Sequence, residues 1–145
     1  MGEVRYLKEI ANKLNKESDE LQGILSTVNK KLAELNLELD VWCRFKSELL
    51  CKTGNGAWML GYTKVQDDGW CIAVKEIEFR VDYVGTPEEE WHIEAESESI
   101  SLLKAPREVR IAAAEILSDL IDALKEEAER SVKAIEKARK IADKL

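Results

Sequence analysis

A heptad repeat in the first third of the chain most constrains its fold. Over residues 3–35, apolar side chains recur at alternating steps of three and four, a spacing that is typical of a long helix with one apolar stripe. The residues at these positions are Val4, Leu7, Ala11, Leu14, Ser18, Leu21, Leu25, Val28, Leu32 and Leu35. We predict a helix over residues 3–35, with Gly23 as its weakest point because glycine costs about 1 kcal/mol inside a helix.

The last third of the chain carries a second stripe of the same kind. Pro106, followed by Glu108, marks a helix start. The heptad positions that follow are Leu117, Ile121, Leu124, Ala128, Ser131, Ile135, Ala138, Ala142 and Leu145. We therefore predict a second long helix over residues 106–145, apolar on a wide arc at first and on a narrow stripe towards its end.

The two predicted helices are too long for a small sheet to cover. At 1.5 Å per residue they measure about 50–60 Å, whereas strands of five to ten residues span about 17–33 Å. We expect the helices to pair antiparallel, so that Leu7 and Ala11 meet Ala138 and Ala142. The overhanging ends bury too little apolar surface in a monomer. We therefore predict either self-association along them, which would give a homo-oligomer, or a partner that covers them.

A strong hairpin signal lies between the helices. Two runs with apolar residues at every second position flank residues 67–69, Asp-Asp-Gly, where glycine supplies the positive φ of a tight turn. The apolar residues are Trp58, Leu60 and Tyr62 before the turn and Trp70, Ile72 and Val74 after it. The apolar phase changes after Val74, which predicts either a β-bulge near Lys75 and Glu76 or a strand covered on both faces.

Two further strands complete the predicted sheet. Residues 37–45 alternate apolar and charged side chains, with Trp42 on the charged face. Residues 91–98 alternate similarly and carry the glutamates expected of an edge strand, where charge discourages pairing with other chains. Predicted turns lie at residues 53–56 and 84–90.

These elements predict an α+β fold in one domain over residues 1–145, with a four-stranded antiparallel meander over residues 37–104 between the helices. The chain has no run of about 20 apolar residues that would span a bilayer, and its N-terminus lacks the apolar region of a secretory signal. Cys43, Cys51 and Cys71 do not form a disulfide pattern, so we predict reduced thiols and a cytoplasmic location.

Candidate catalytic and metal-binding groups are sparse. The single histidine, His92, shares a predicted strand face with Glu94 and Glu96, but general acid–base catalysis needs a pocket and a second group. The three cysteines and His92 are spaced too widely for the paired ligands of a structural zinc site. A net charge of −7 argues against binding to nucleic acid, which needs a basic surface. We therefore predict a non-enzymatic protein without a metal or a cofactor.

Two functions remain open at this point. The first is an oligomerising interaction protein (an adaptor, a chaperone-like factor or an inhibitor) that binds a partner protein through its sheet face or acidic edge. The alternative is a small-ligand binding module with a tryptophan-lined pocket. The predicted contact residues are Trp42, Trp58, Trp70, Trp91, His92, Glu94, Glu96 and Glu98. The predicted oligomer seam contains Leu7, Leu14, Leu21, Leu25, Leu124 and Ile135.

Overall fold

Two long helices enclose an antiparallel sheet in the order of the chain. The computed structural model describes residues 2–45, 56–82 and 90–145, with the backbone alone for residues 79–82 and 90–94. The elements are α1 (Gly2–Glu34), β1 (Val41–Arg44), β2 (Gly56–Val65), β3 (Gly69–Asp82), β4 (Glu90–Glu96), β5 (Ile100–Ser101) and α2 (Arg107–Lys144). A 3-10 turn, Leu102–Lys104, links β5 to α2. The predicted turn at residues 53–56 and the predicted loop at residues 84–90 lie mostly outside the described residues.

The strands follow one another across the sheet as a meander, β1-β2-β3-β4, and every pair is antiparallel. This arrangement confirms the predicted α+β architecture. The sheet has one strand more than predicted, because the short β5 also pairs with β3 in continuation of β4. The central hairpin turns where expected: Val65 pairs with Gly69, and Asp67 and Gly69 both adopt a positive φ, of 73° and 71°.

The first strand is shorter than the alternation predicts. Asn36 and Glu38 adopt positive φ values of 50° and 47°, a conformation that takes the backbone out of the extended region. Pairing with β2 therefore begins only at Val41. Leu37 and Leu39 still pack against the core, so the alternation reported burial correctly but not the start of the strand.

The phase change in β3 has a different cause from a bulge near Lys75 and Glu76. The pairing of β3 with β2 runs without interruption through this region, and the register shift lies between Glu78 and Phe79, in the pairing with β4. Ile77 therefore lies on the opposite face of the sheet from Val74, and both are at most 2% exposed. The prediction of a bulge near Lys75 is wrong, and that of a strand covered on both faces is confirmed at this position.

Both helices pack on one face of the sheet and form the main core with it. This face presents the even-numbered apolar residues of the central hairpin, which include Leu60, Tyr62, Ile72 and Val74. The buried residues contributed by the helices are Leu25, Leu32, Val109, Ala112, Ala113, Ile116, Leu120 and Leu124. The wide apolar arc at the start of α2 is the part of this helix that packs on the sheet, as the width of its apolar stripe predicts.

Polar side chains fix the position of α1. Asn29 Oδ1 accepts a hydrogen bond from the backbone N–H of Ile72, at 2.8 Å. About two helical turns earlier, Gln22 Nε2 donates to the carbonyl oxygen of Leu103, at 3.0 Å. These bonds satisfy backbone groups that would otherwise lose their water on burial, at a cost of about 1–3 kcal/mol each.

The start of α2 crosses the middle of α1. Arg107 Nη1 donates to Asn15 Oδ1 at 2.8 Å, and Arg110 Nη1 donates to Gln22 Oε1 at 2.5 Å. Along the helix axes, Leu7 lies about 12 Å from Asn15, whereas Ala138 lies about 46 Å from Arg107. The prediction that Leu7 and Ala11 meet Ala138 and Ala142 within one chain is therefore wrong.

Candidate interaction surfaces

The apolar stripe of α1 continues beyond the part that the sheet covers. Leu25 is fully buried and Leu21 is half-buried, yet Leu14 is 50% exposed and Leu7 is 65% exposed. These leucines occupy the two alternating heptad positions of one stripe, so they share a helix face. The N-terminal half of α1 thus presents an apolar face of the kind that its C-terminal half buries.

The stripe of α2 shows the same change in the opposite direction along the chain. Leu117 is half-buried and Leu124 is buried, whereas Ile135 is 59% exposed. The predicted seam therefore divides in two: Leu21, Leu25 and Leu124 belong to the core, and Leu7, Leu14 and Ile135 lie on the surface. Because the two exposed parts do not cover each other, they form separate apolar surfaces.

A third surface lies on the sheet face that the helices leave free, centred on Trp42. The Trp42 ring lies over Gly61, its partner across β1 and β2. It packs against a small buried cluster formed by Val65, Cys71 and Ala73. A side chain at position 61 would occupy the place of the ring, so glycine is required here for close approach rather than for its backbone conformation.

Two charged side chains, Lys75 and Asp40, contact Trp42. Lys75 Nζ lies 4.0 Å from the ring centroid, and the same ammonium group lies 3.7 Å from a carboxylate oxygen of Glu96. A cation over an indole ring contributes about 0.5–2 kcal/mol, depending on how far it is desolvated. At the indole nitrogen, Asp40 accepts hydrogen bonds from Trp42 Nε1 at 2.6 Å and from Thr63 Oγ1 at 2.9 Å. We call Asp40, Trp42, Lys75 and Glu96 the Trp42 surface.

The other tryptophans whose side chains are described lie on the opposite face of the sheet. Trp58 and Trp70 pack against the main core, and the Trp70 ring stacks on Tyr62 with its centroid at 5.8 Å. Trp42 therefore shares no cup with Trp58 or Trp70. A pocket lined by these three tryptophans would need all of them on one face of the sheet, and they lie on two.

The predicted acidic edge is formed by β4 and the residues that follow it. Trp91, His92 and Glu94 belong to β4 by their backbone, where His92 pairs with Arg80, and their side chains lie outside the described part of the structure. Glu96 and Glu98 are exposed. The glutamates are interrupted at Ser97, whose backbone N–H and hydroxyl oxygen both bind the backbone of Glu76, each at 2.8 Å.

A shallow polar groove of about 490 Å³ separates the hairpin turn from β5. Lys104 Nζ crosses it to the carboxylate oxygens of Asp68, at 3.0 and 3.1 Å. Its other lining groups include Lys64, Glu98 and Ser99. Of its two lysines, Lys104 is already paired to a carboxylate, and no histidine or cysteine is among the described residues that line it.

Cys43 is half-buried and Cys71 is buried, on opposite faces of the sheet, and desolvation raises the pKa of both thiols. For Cys43, the nearby carboxylate of Asp119 raises the pKa further. For Cys71, Asp68 raises it, against smaller opposing effects of Ser101 and Lys104. Thiols held neutral at physiological pH are poor nucleophiles and poor metal ligands. Cys51 lies outside the described residues.

These shifts predict a loss of stability at alkaline pH. Because the folded-state pKa of Cys43 and Cys71 lies above the ordinary value of 9.0, folding favours the neutral thiol. This contribution is complete below pH 9 and is lost as the pH rises through the folded-state pKa. Urea denaturation between pH 7 and pH 11 should show a constant free energy of unfolding up to about pH 8.5 and a fall above it. A chain with both cysteines replaced by alanine should give a flatter curve, and a rise above pH 9 would contradict the assignment.

Searches for relatives return nothing: no protein-family model, no curated protein and no solved structure matches the chain. Among the side chains that the structure describes, no group of three or more from histidine, cysteine, aspartate and glutamate could hold a metal ion. No helix in the described part of the chain is long and apolar enough to cross a membrane. The function is therefore inferred from the three surfaces described above.

Proposed function

We propose that this protein is a non-enzymatic, self-associating interaction protein, an adaptor, chaperone-like factor or inhibitor in a cytoplasmic setting. One observation carries the proposal: both apolar stripes extend beyond the part of the fold that covers them. In these extensions Leu14 is 50% exposed and Ile135 is 59% exposed. Contiguous exposed apolar surface of this kind marks interaction sites in soluble proteins. Self-association through the helix ends then leaves the free sheet face available to a partner protein.

The Trp42 surface is the proposed contact for that partner. It combines a half-buried indole, an ammonium group and two carboxylates on a rigid sheet, and tryptophan is enriched among the residues that dominate binding energy. Glu96 and Glu98 extend this surface to the acidic edge. The packing of Trp58 and Trp70 in the core gives no comparable support to a small-ligand pocket.

Self-association is tested by placing charge in the exposed stripes. We expect wild-type protein to be oligomeric at about 10 µM and the double variant Leu14→Glu, Ile135→Glu to be monomeric, because a carboxylate in an apolar interface loses its hydration. The far-ultraviolet circular dichroism should not change, since both side chains lie outside the core. The matched control is Lys16→Glu on the polar face of α1. A monomeric wild-type protein in light scattering at this concentration would overturn the proposal.

Partner binding is tested with Trp42. Affinity capture with the wild-type chain, followed by reconstitution with the purified partner, should give a complex that Trp42→Ala weakens at least tenfold, the effect expected of a residue at the centre of an interface. Lys13→Ala, a change remote from the sheet, should bind normally. A purified partner that binds Trp42→Ala as tightly as the wild-type chain would show that the contact lies elsewhere.

A further inference from the structure

The geometry points to a closed two-fold dimer in which the exposed stripe of α1 packs antiparallel against the exposed stripe of α2 of a second copy. This inference rests on the proposed self-association and specifies which surfaces meet. Pairing of the two stripes within one chain is excluded, because the crossing at Asn15 and Arg107 places their far ends tens of ångströms apart. The same stripes can meet only between chains.

One antiparallel register brings every exposed stripe position of α1 opposite one of α2. In an antiparallel pair of helices with heptad repeats, the first seam position (a) of one helix faces the second seam position (d) of the other. The resulting layers are Val4 with Leu145, Leu7 with Ala142, Ala11 with Ala138 and Leu14 with Ile135. Small residues of α2 stand opposite Leu7 and Ala11, which allows a close approach of the two helices.

The residues beside the stripe support the same register independently. Ile10 and Ile141 lie just outside the two seams, where charged residues usually flank a helix pair. Both are exposed, at 43% and 62%. In the register above they face each other. Pairing would therefore bury two large apolar side chains that are exposed in the monomer and lie outside the seams.

Charges favour α1 against α2 over pairing of like helices. Most flanking neighbours in this register have opposite signs. They are Glu3 with Lys144, Lys8 with Asp143, and Glu17 with Arg130, and the like-charged neighbours are Lys8 with Arg139. Two copies of α1 would bring opposite charges together in the two Glu3 and Lys13 pairs, but like charges in three pairs: Glu3 with Glu17 twice, and Lys8 with itself. Two copies of α2 would bring Arg139 against itself, in a segment that is basic overall, and like charges at facing positions oppose association.

The buried area decides between a closed dimer and an open chain of copies. The exposed fractions of the large apolar residues amount to about four and a half full side chains per helix pair, or roughly 450 Å² of apolar surface at about 100 Å² each. Since homodimer interfaces are about 65% apolar, one pair buries roughly 700 Å² in total. Stable interfaces bury about 1,200–2,000 Å². Two pairs related by a two-fold axis reach this range, and one pair does not.

Disulfide trapping between two different variants tests the register. Both variants carry Cys43→Ser and Cys51→Ser, which leaves the buried Cys71 as the native thiol. One of them also carries Leu7→Cys and the other Ala142→Cys. We expect the mixture to form a covalent dimer on mild oxidation, because facing seam positions have the Cα separation that a disulfide needs. Each variant alone should form at least tenfold less covalent dimer. The matched control pair, Lys16→Cys with Lys133→Cys, lies on the outward helix faces and should not cross-link.

The possible outcomes separate this inference from the proposed function. A light-scattering mass of two chains, with cross-linking in the Leu7→Cys and Ala142→Cys mixture, supports both. An oligomer in which Leu7→Cys or Ala142→Cys cross-links to its own kind overturns the register and leaves self-association standing. An oligomer that grows steadily with concentration overturns the closed dimer. A strict monomer overturns the inference and the proposed function together.

Discussion

Replacing Gly61 with alanine should lower the free energy of unfolding by about 3 kcal/mol, at the upper end of the range for an overpacked site. The added Cβ would lie 2.4 Å from two carbons of the Trp42 ring and 2.6 Å from the carbonyl oxygen of Val41. The oxygen belongs to a paired strand and cannot move away without breaking the sheet. Urea denaturation followed by circular dichroism measures the loss.

The matched control for Gly61→Ala is the same substitution at Gly23. A Cβ at Gly23 meets no atom within 4 Å, and the residue lies inside α1. Alanine is the better helix former, so Gly23→Ala should raise the free energy of unfolding by about 0.5–1 kcal/mol. Combining Gly61→Ala with Trp42→Ala should recover part of the Gly61→Ala loss, since the indole ring is one of the two groups in the clash. Equal effects at both glycines would contradict the assigned position of Trp42.

The second large effect is expected along the stripe of α1. Leu25→Ala should cost about 2–5 kcal/mol, because Leu25 is fully buried between α1 and the sheet and its truncation leaves a cavity. Leu14→Ala, the same change three layers of the seam earlier, should cost less than about 0.5 kcal/mol in the monomer, since the side chain is half exposed. Unfolding is measured at nanomolar concentration by fluorescence, so that association does not contribute.

The same two variants should behave in the opposite way in association. Leu14→Ala should weaken self-association measurably, whereas Leu25→Ala should leave it unchanged as long as the chain is folded. If Leu14→Ala destabilised the monomer as strongly as Leu25→Ala, the N-terminal half of α1 would have to be covered within one chain. That result would remove the observation on which the proposed function rests.

Local patterns predict the helices and the hairpin because neighbouring residues determine them. The heptad spacing places α1 and α2 within one residue of their bounds at each end, and the Asp-Asp-Gly tripeptide places the turn. The start of β1 is missed because nothing in the spacing of residues 37–45 reveals the positive φ at Glu38. Periodicity reports which face is buried, and it does not report where strand pairing begins.

Features that join distant parts of the chain could not be predicted from the sequence. The Trp42 surface depends on two residues from neighbouring strands, Gly61, on which the ring lies, and Lys75, whose ammonium group contacts the ring. Only the register of those strands brings these residues to the ring. The position of Trp42 on the charged face was readable from alternation, but not its contacts. Likewise, the contact between Arg107 and Asn15, where α2 crosses α1, depends on the path of β5 and the 3-10 turn. Heptad spacing carries no information about that path.

The contacts that hold α1 have a consequence for biosynthesis. Three side chains of α1 form hydrogen bonds with residues that are synthesised much later: Asn29 with Ile72, Gln22 with Leu103 and Asn15 with Arg107. The first helix therefore leaves the ribosome before the residues that pack on it. At 5–20 residues per second, the delay between the end of α1 and the start of α2 is about 4–15 s. During translation the whole leucine stripe is open to neighbouring nascent chains on the same messenger. Premature contacts between growing chains would then involve the same surface that we propose for assembly of the mature protein.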